Sequence, residues 1–253
     1  DVSDEGDVLE TLINLGYIDY AIDDNRVELS DTREGVYPGL IIYGHKDTGK
    51  VFLIDMKKNI IHQWRGRNNY HFFNLVENGS MMGVYGDRIE KLDWDSDRIW
   101  FNNDTIYHHW FSVSKNGTIY TISRSYVNNL PYKGHKYNLL DDNIVVMSPE
   151  GEIKKIISIY DLFWDRIPEE YLDKYLKPKY KKRKRDVFHL NTVQIIEEDH
   201  EFASKGDVLI AMRHLDTIAI VDVDEEKVKW MWGMGELEGP HHPTILENKN
   251  ILV

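Results

Sequence analysis

The stretch His109-Trp-Phe-Ser-Val-Ser-Lys-Asn116-Gly117-Thr-Ile-Tyr-Thr-Ile-Ser-Arg124 decides the fold, because the chain repeats it. A histidine opens a short β-prone run, an Asn-Gly pair turns it, and a second β-branched run returns. His71 precedes Asn78-Gly79 by the same offset that separates His109 from Asn116-Gly117, and His241 reaches Asn248 likewise, with Lys249 in the glycine's place. His189 opens a fourth segment of this kind, whose turn, Lys205-Gly206-Asp207, arrives nine residues late behind the acidic loop Glu197–Ser204.

A second unit interleaves with the first. Phe52–Trp64, Val145–Ile153 and Ile218–Trp230 each read as strand, polar turn, strand. Two alternating hairpins at a spacing of 38 to 52 residues, with a double gap between His109 and His189, are the signature of four-stranded β-propeller blades. Strands are expected at Gly39–Tyr43, Val51–Asp55, Phe72–Val76, Ile119–Ser123, Ile144–Ser148, Val208–Met212, Ile218–Asp222 and Lys227–Trp232. The domain reading is an acidic N-terminal segment over 1–35, propeller blades over 36–253, and a helical insertion at about 158–186 that ends in the basic run Lys177–Arg185. That run is expected to be a solvated loop.

Composition bounds the function. With 253 residues and 42% apolar side chains the chain can bury a real core, and its formal charge of -12 argues against general nucleic-acid affinity. No cysteine is present, so there is no disulfide framework, thiolate metal site or cysteine nucleophile. No run approaches the roughly 18 apolar residues of a spanning helix. Asp1-Val-Ser-Asp-Glu-Gly lacks the layout of a signal peptide, so localisation stays open.

In a propeller, residues equal in repeat position share one radius and height, so distant histidines can meet around the channel. A lone histidine is usually structural; four in one register point to chemistry. If Asn116-Gly117 is a two-residue turn, paired positions sum to 233, which sets His109 opposite Arg124 on one face. Aligning Gly206 with Gly117 likewise sets Arg213 opposite His189, whereas Gly86 faces His71. Two or more His and two Arg facing a channel suit a small anion with several oxygens. The alternative is that the arginines pair with neighbouring carboxylates. A histidine metal site is not expected, since no His-x-x-x-His helix or carboxylate-rich loop accompanies these residues.

The residues also carry a resemblance. Val36-Tyr-Pro-Gly39, Leu53-Ile-Asp-Met56 and His62-Gln-Trp64 resemble the opening of PAPS-independent, propeller-type arylsulfotransferases, as do His108-His109, Phe188-His-x-Asn191, Arg213 and His241-x-Pro243 before Asn248-x-Asn250. The resemblance runs from about residue 36 to the end. It implies a six-bladed propeller, incomplete in this chain, that moves a sulfuryl group from an aryl sulfate to a phenol on a histidine. His241 would be the carrier, with His109, His189 and Arg213 as its catalytic support; His108, Arg124 and Asn191 are expected to bind substrate. No metal and no cofactor is implied, and the partners would be a small aryl sulfate and a phenol, without nucleic acid or a membrane span. The family suggests a periplasmic or extracellular setting. Two positions depart from the pattern, Pro240 where Gln is expected and Lys249 at the turn. The rival reading is a non-catalytic, quinoprotein-like propeller scaffold. Trp64, Trp230 and Trp232 are expected to pack between blades.

Overall fold

The structure, a computed structural model, describes residues 39–45, 48–66, 69–176 and 185–253. The acidic segment, Val36-Tyr-Pro and positions 177–184 of the basic run lie outside the described residues. The fold is all-β, made of consecutive strands that pair with their sequence neighbours into propeller-type blades, with few helices. By its own contacts the chain divides into two compact units, one of residues up to Tyr85 with Lys91–Ile99, the other of Gly86–Glu90 with Trp100–Val253.

The first unit contains the antiparallel sheet β1 (Ile41–His45), β2 (Lys50–Ile54) and β3 (Ile60–Arg65). Strands β4 (Phe72–Leu75), β5 (Met81–Tyr85), β6 (Arg88–Leu92) and β7 (Arg98–Asn102) follow as one sheet in that order. Asp55 makes the β2–β3 turn by accepting from the backbone N–H of Lys57 and Asn59, at 2.9 and 2.8 Å. Val51, Leu53, Trp64, Met81 and Leu92 form this unit's core. Trp64 is fully buried there and donates Nε1–H to the Asp93 carbonyl at 3.1 Å. His62 stacks on Trp94 with ring centroids 3.6 Å apart.

The second unit holds two larger sheets. In one, β8 (Ile106–Val113), β9 (Ile119–Tyr132), β10 (His135–Met147) and β11 (Ile153–Ser158) pair in sequence, and β12 (Arg185–Asp186) adds parallel to β10 at Leu139 and Leu140. In the other, β13 (Leu190–Ile195), β14 (Val208–Met212), β15 (Thr217–Asp222) and β16 (Lys227–Trp232) form an antiparallel meander. Every residue of β14 is buried, as its Val-Leu-Ile-Ala-Met run demands, while β16 alternates towards solvent. A short hairpin, β17 (Thr244–Ile245) with β18 (Ile251–Leu252), follows. Trp232 is half exposed on β16, whereas Trp230 meets Phe202.

Strands β9 and β10 run well past the expected Ile119–Ser123 and Ile144–Ser148, to a turn at Lys133-Gly134, both at positive φ. The helical insertion explains the extra length. Helices α1 (Ile159–Phe163) and α2 (Glu169–Leu176) lay Phe163, Leu172 and Leu176 into the same core as Leu130 and Leu139 of the long hairpin. Tyr132 and Lys133 at its tip bind Asp173 of α2 at 3.0 and 2.8 Å. The insertion thus returns the chain alongside β10, and β12 delivers Asp186 and His189 to the neighbourhood of Asp142.

The expected pairing of His109 with Arg124 is corrected by the ladder. Ser114 pairs with Thr118 around a three-residue loop in which Gly117, at φ 86°, donates its N–H to the Ser114 carbonyl at 2.8 Å. The pairs near the turn therefore sum to 232 (Val113 with Ile119). A bulge then places His108, His109 and Trp110 against Ile122 alone, so that Arg124 faces Ile106. Across the other meander Arg213 does stand opposite His189, donating its N–H to the His189 carbonyl at 3.1 Å.

Candidate functional site

Three histidines of the second unit occupy the left-handed backbone region, His109 at φ 58°, His189 at 51° and His242 at 51°. A side chain bearing Cβ is held there only when its surroundings insist. His109 owes it to the β8 bulge. His189 owes it to Asp186, whose carboxylate accepts both from the His189 backbone N–H at 3.0 Å and from its Nδ1 at 2.7 Å. The rings of His109 and His189 meet edge to face, centroids 5.3 Å apart.

Two buried or half-buried carboxylates organise the cluster. Asp142 on β10 is fully buried; its Oδ2 accepts from the Leu190 N–H at 2.7 Å, and its Oδ1 lies 3.1 Å from His108 Nε2 and 3.4 Å from Arg124 Nε. One side chain thus links β8, β9, β10 and β13. Asp186 holds His189 and lies beside His214, whose Nδ1 donates to the Asp186 backbone carbonyl at 2.8 Å while its ring stacks on Tyr175 of α2. Burial pushes the Asp186 carboxyl up, but the His189 hydrogen bond and the charges of His189, His214 and Arg124 outweigh it and hold the group below the usual range. Burial holds His214 below the ordinary imidazole value. The same cause, with His108 and His189 adding to it, brings His109 down to about 4, so its ring is neutral at pH 7.

The segment carrying His241 is held to the second meander by three hydrogen bonds. Gly239 donates its N–H to Asp216 at 2.9 Å, Asn191 donates Nδ2–H to the Pro240 carbonyl at 2.9 Å, and His242 donates its N–H to Thr192 Oγ1 at 2.9 Å. The His242 ring rests on Trp110, centroids 4.0 Å apart, and burial lowers its pKa. His241 is exposed, with Nδ1 2.8 Å from the Gly239 carbonyl, and the exposed Arg213 runs alongside Gly239: a Cβ there would lie 3.7 Å from its Cγ.

The sequence candidates therefore fall into four groups. His109 and His189 meet in the cluster, and the segments carrying Arg213 and His241 run next to the strand that His189 precedes. His108 at 6% exposure and Asn191 at 4% lie buried behind it, His108 Nδ1 against His109 and Asn191 Nδ2 donating to Pro240. Arg124 is held by Asp142, the carboxylate-pairing alternative. His71 belongs to the other unit. Sequence reading missed Asp142, Asp186 and His214. The signals were an Asp-Asp pair inside a buried strand, the Asp-x-x-His spacing of 186 and 189, and the His that follows Arg213.

Among the described residues, Asp186, His189 and His214 are the set whose donor atoms lie close enough, within 4.8 Å, to hold a metal ion. Both Nδ1 atoms already donate to Asp186, so an ion would have to displace the Asp186–His189 hydrogen bond or use the Nε2 atoms. No helix among the described residues is long and apolar enough to cross a membrane.

Blades of this kind define a propeller, and its second unit carries a cluster of histidines. The sequence model of the arylsulfotransferase (ASST) family matches residues 26–243, and the chain belongs to that family. No curated protein sequence matches the chain. Among solved structures it is similar to a protein of unknown function from Bacteroides caccae, at 11% identity and TM-score 0.47 over 85% of this chain and 64% of that one. It is also similar to a streptogramin B lyase (10%, TM-score 0.47, 77% and 51%) and to the β-propeller domain of Cps50 (Swd1) from Myceliophteria thermophila (12%, 0.48, 87% and 62%). The chain spans between about half and two thirds of the length of these structures.

Proposed function

We propose that the protein is a sulfotransferase that carries a sulfuryl group from an aryl sulfate ester to a phenolic acceptor, with His241 as the covalent carrier. The observation that supports this most directly is the contact of His241 Nδ1 with the Gly239 carbonyl at 2.8 Å. A carbonyl only accepts, so Nδ1 carries a proton, and in the neutral ring the lone pair then lies on Nε2, the form a nucleophile needs. Nε2 attacks sulfur in line, the S–N bond forms as the S–O bond to the aryl group breaks, and a phenolate leaves. An acceptor phenol reverses the path. Sulfuryl transfer, like phosphoryl transfer, asks the protein mainly for positioning and for charge stabilisation on equatorial oxygens. Arg213 supplies a cation beside the His241 segment, and His189, set by Asp186, supplies a fixed ring. His109, being neutral, contributes hydrogen bonding rather than charge.

The test separates two adjacent histidines. Sequence register favours His241, while the left-handed backbone shared with His109 and His189 belongs to His242. With a chromogenic aryl sulfate, His241→Ala should abolish both donor cleavage and acceptor sulfation, and His242→Ala should keep most turnover. The reverse pattern moves the carrier to His242. Normal turnover in both leaves direct transfer without a histidine intermediate, and no turnover in the wild type leaves the non-catalytic scaffold.

A further inference from the structure

Behind His109 lies a line of polar groups that the transfer scheme leaves unused. His108 Nδ1 and His109 Nδ1 are 2.6 Å apart, so they share one proton. His108 Nε2 is buried without a hydrogen bond of its own, and Asp142 Oδ1 stands 3.1 Å from it, close in distance and off-line in angle. Asp142 is fully buried and keeps Arg124 beside it. A carboxylate facing Nε2 calls for the proton there, which leaves His108 Nδ1 as an acceptor. His109 must then donate through Nδ1, and its Nε2 is left with a free lone pair.

We propose that Asp142, His108 and His109 form a proton relay in which His109 Nε2 takes the proton of the acceptor phenol, while His108 and Asp142 position it. This rests on the sulfohistidine reading of His241 and deepens it. In the acceptor step the phenolic O–H proton passes to His109 Nε2, the oxygen attacks sulfur, the S–N bond to His241 breaks, and its electron pair returns to His241 Nε2. In the donor step the same proton goes back to a departing phenolate that is basic enough to need it. The groups facing His109 are His108 on β8, Arg124 on β9, Asp142 on β10 and His189 after β12. A ring kept neutral among them is the form that can accept a proton.

The relay makes a prediction that a structural role does not. Phenol, with a pKa of about 10 like tyrosine, needs a base at pH 7; an acidic acceptor such as pentafluorophenol is already ionised. In His108→Phe, which keeps a ring in the buried place, and in Asp142→Asn, which keeps an acceptor for Leu190, para-nitrophenyl sulfate should still give its burst of nitrophenolate. Transfer to phenol at pH 7 should fall about a hundredfold, the scale of general-base catalysis, with little loss for pentafluorophenol. The variants' rate on phenol should climb about tenfold per pH unit while the wild type stays flat. Nitrogen NMR should find the His109 proton on Nδ1 in the wild type and moved in His108→Phe. Equal losses for both acceptors at every pH, or no loss for either, would overturn the relay, as would a His109 proton on Nε2 in the wild type. A wild type without the burst, or a fully active His241→Ala, removes the carrier itself and is distinguished by that.

Discussion

His109 and His189 both sit at left-handed φ values, 58° and 51°, a conformation that costs a residue with a Cβ about 1–2 kcal/mol. In each case a carboxylate reached through packing, the buried Asp142 by way of His108 and the half-buried Asp186 directly, keeps the ring in one orientation. The consequence for protonation can be measured. Burial, with His108 and His189 nearby, brings His109 to about 4, so it binds a proton less readily folded than unfolded. Between pH 4 and the free imidazole value of about 6.5 the unfolded chain holds more protons here, and this group's contribution to stability rises with pH across that window. An NMR titration should therefore find His109 still neutral at pH 5, with a midpoint near 4. A midpoint at or above the free value would contradict the burial argument.

At the scale of elements, the repeated turns were legible and their register was not. Asn116-Gly117 does mark a hairpin, but Gly117 closes a three-residue loop, and the bulge at 108–110 shifts the ladder again before Arg124 is reached. Neither displacement can be read from residue types, because both depend on how β8 meets its neighbour β13, where Ile195 donates its N–H to Ser112 Oγ at 3.1 Å. The β17–β18 turn offers a test of the repeat. Lys249 occupies the glycine position at φ 68°, donating to the Leu246 carbonyl at 2.8 Å, with its side chain exposed. Lys249→Gly should remove left-handed strain and raise stability by about 1 kcal/mol, read as a higher urea midpoint at unchanged m-value. A lower midpoint would mean that the lysine side chain makes a stabilising contact.

Across the second unit, the β10 strand places two carboxylates in succession where a blade normally keeps apolar residues. Asp142 points to the histidine cluster; Asp141 turns the other way and receives the Tyr160 N–H at 2.9 Å and Ser158 Oγ at 2.8 Å, fixing the start of α1. Burial pushes Asp141 up to about 6, with those hydrogen bonds opposing and Asp142 and Asp161 adding to the rise. A carboxyl raised in the folded state favours folding below its unfolded value of about 4, and that contribution is lost as pH climbs through about 6. Asp141→Asn should flatten the stability curve between pH 4 and 7 and be the more stable protein at pH 7, by about 1–3 kcal/mol; urea unfolding across that range checks it, and an unchanged slope would contradict it. The sequence by itself determined the all-β repeat, the last three strands of the second meander to within a residue, and the family, because hydrophobic alternation, Asn-Gly turns and repeat spacing are local properties. Only the tertiary structure decided that Asp142, Asp186 and His214 orient the histidines, that His108 and Asn191 stand behind the surface, and that Arg124 is bound to a carboxylate. Those outcomes depend on bulges and on the return of the 158–186 insertion along β10, through contacts such as that of Asp142 with Leu190, 48 positions apart in the chain, whose geometry no local pattern specifies.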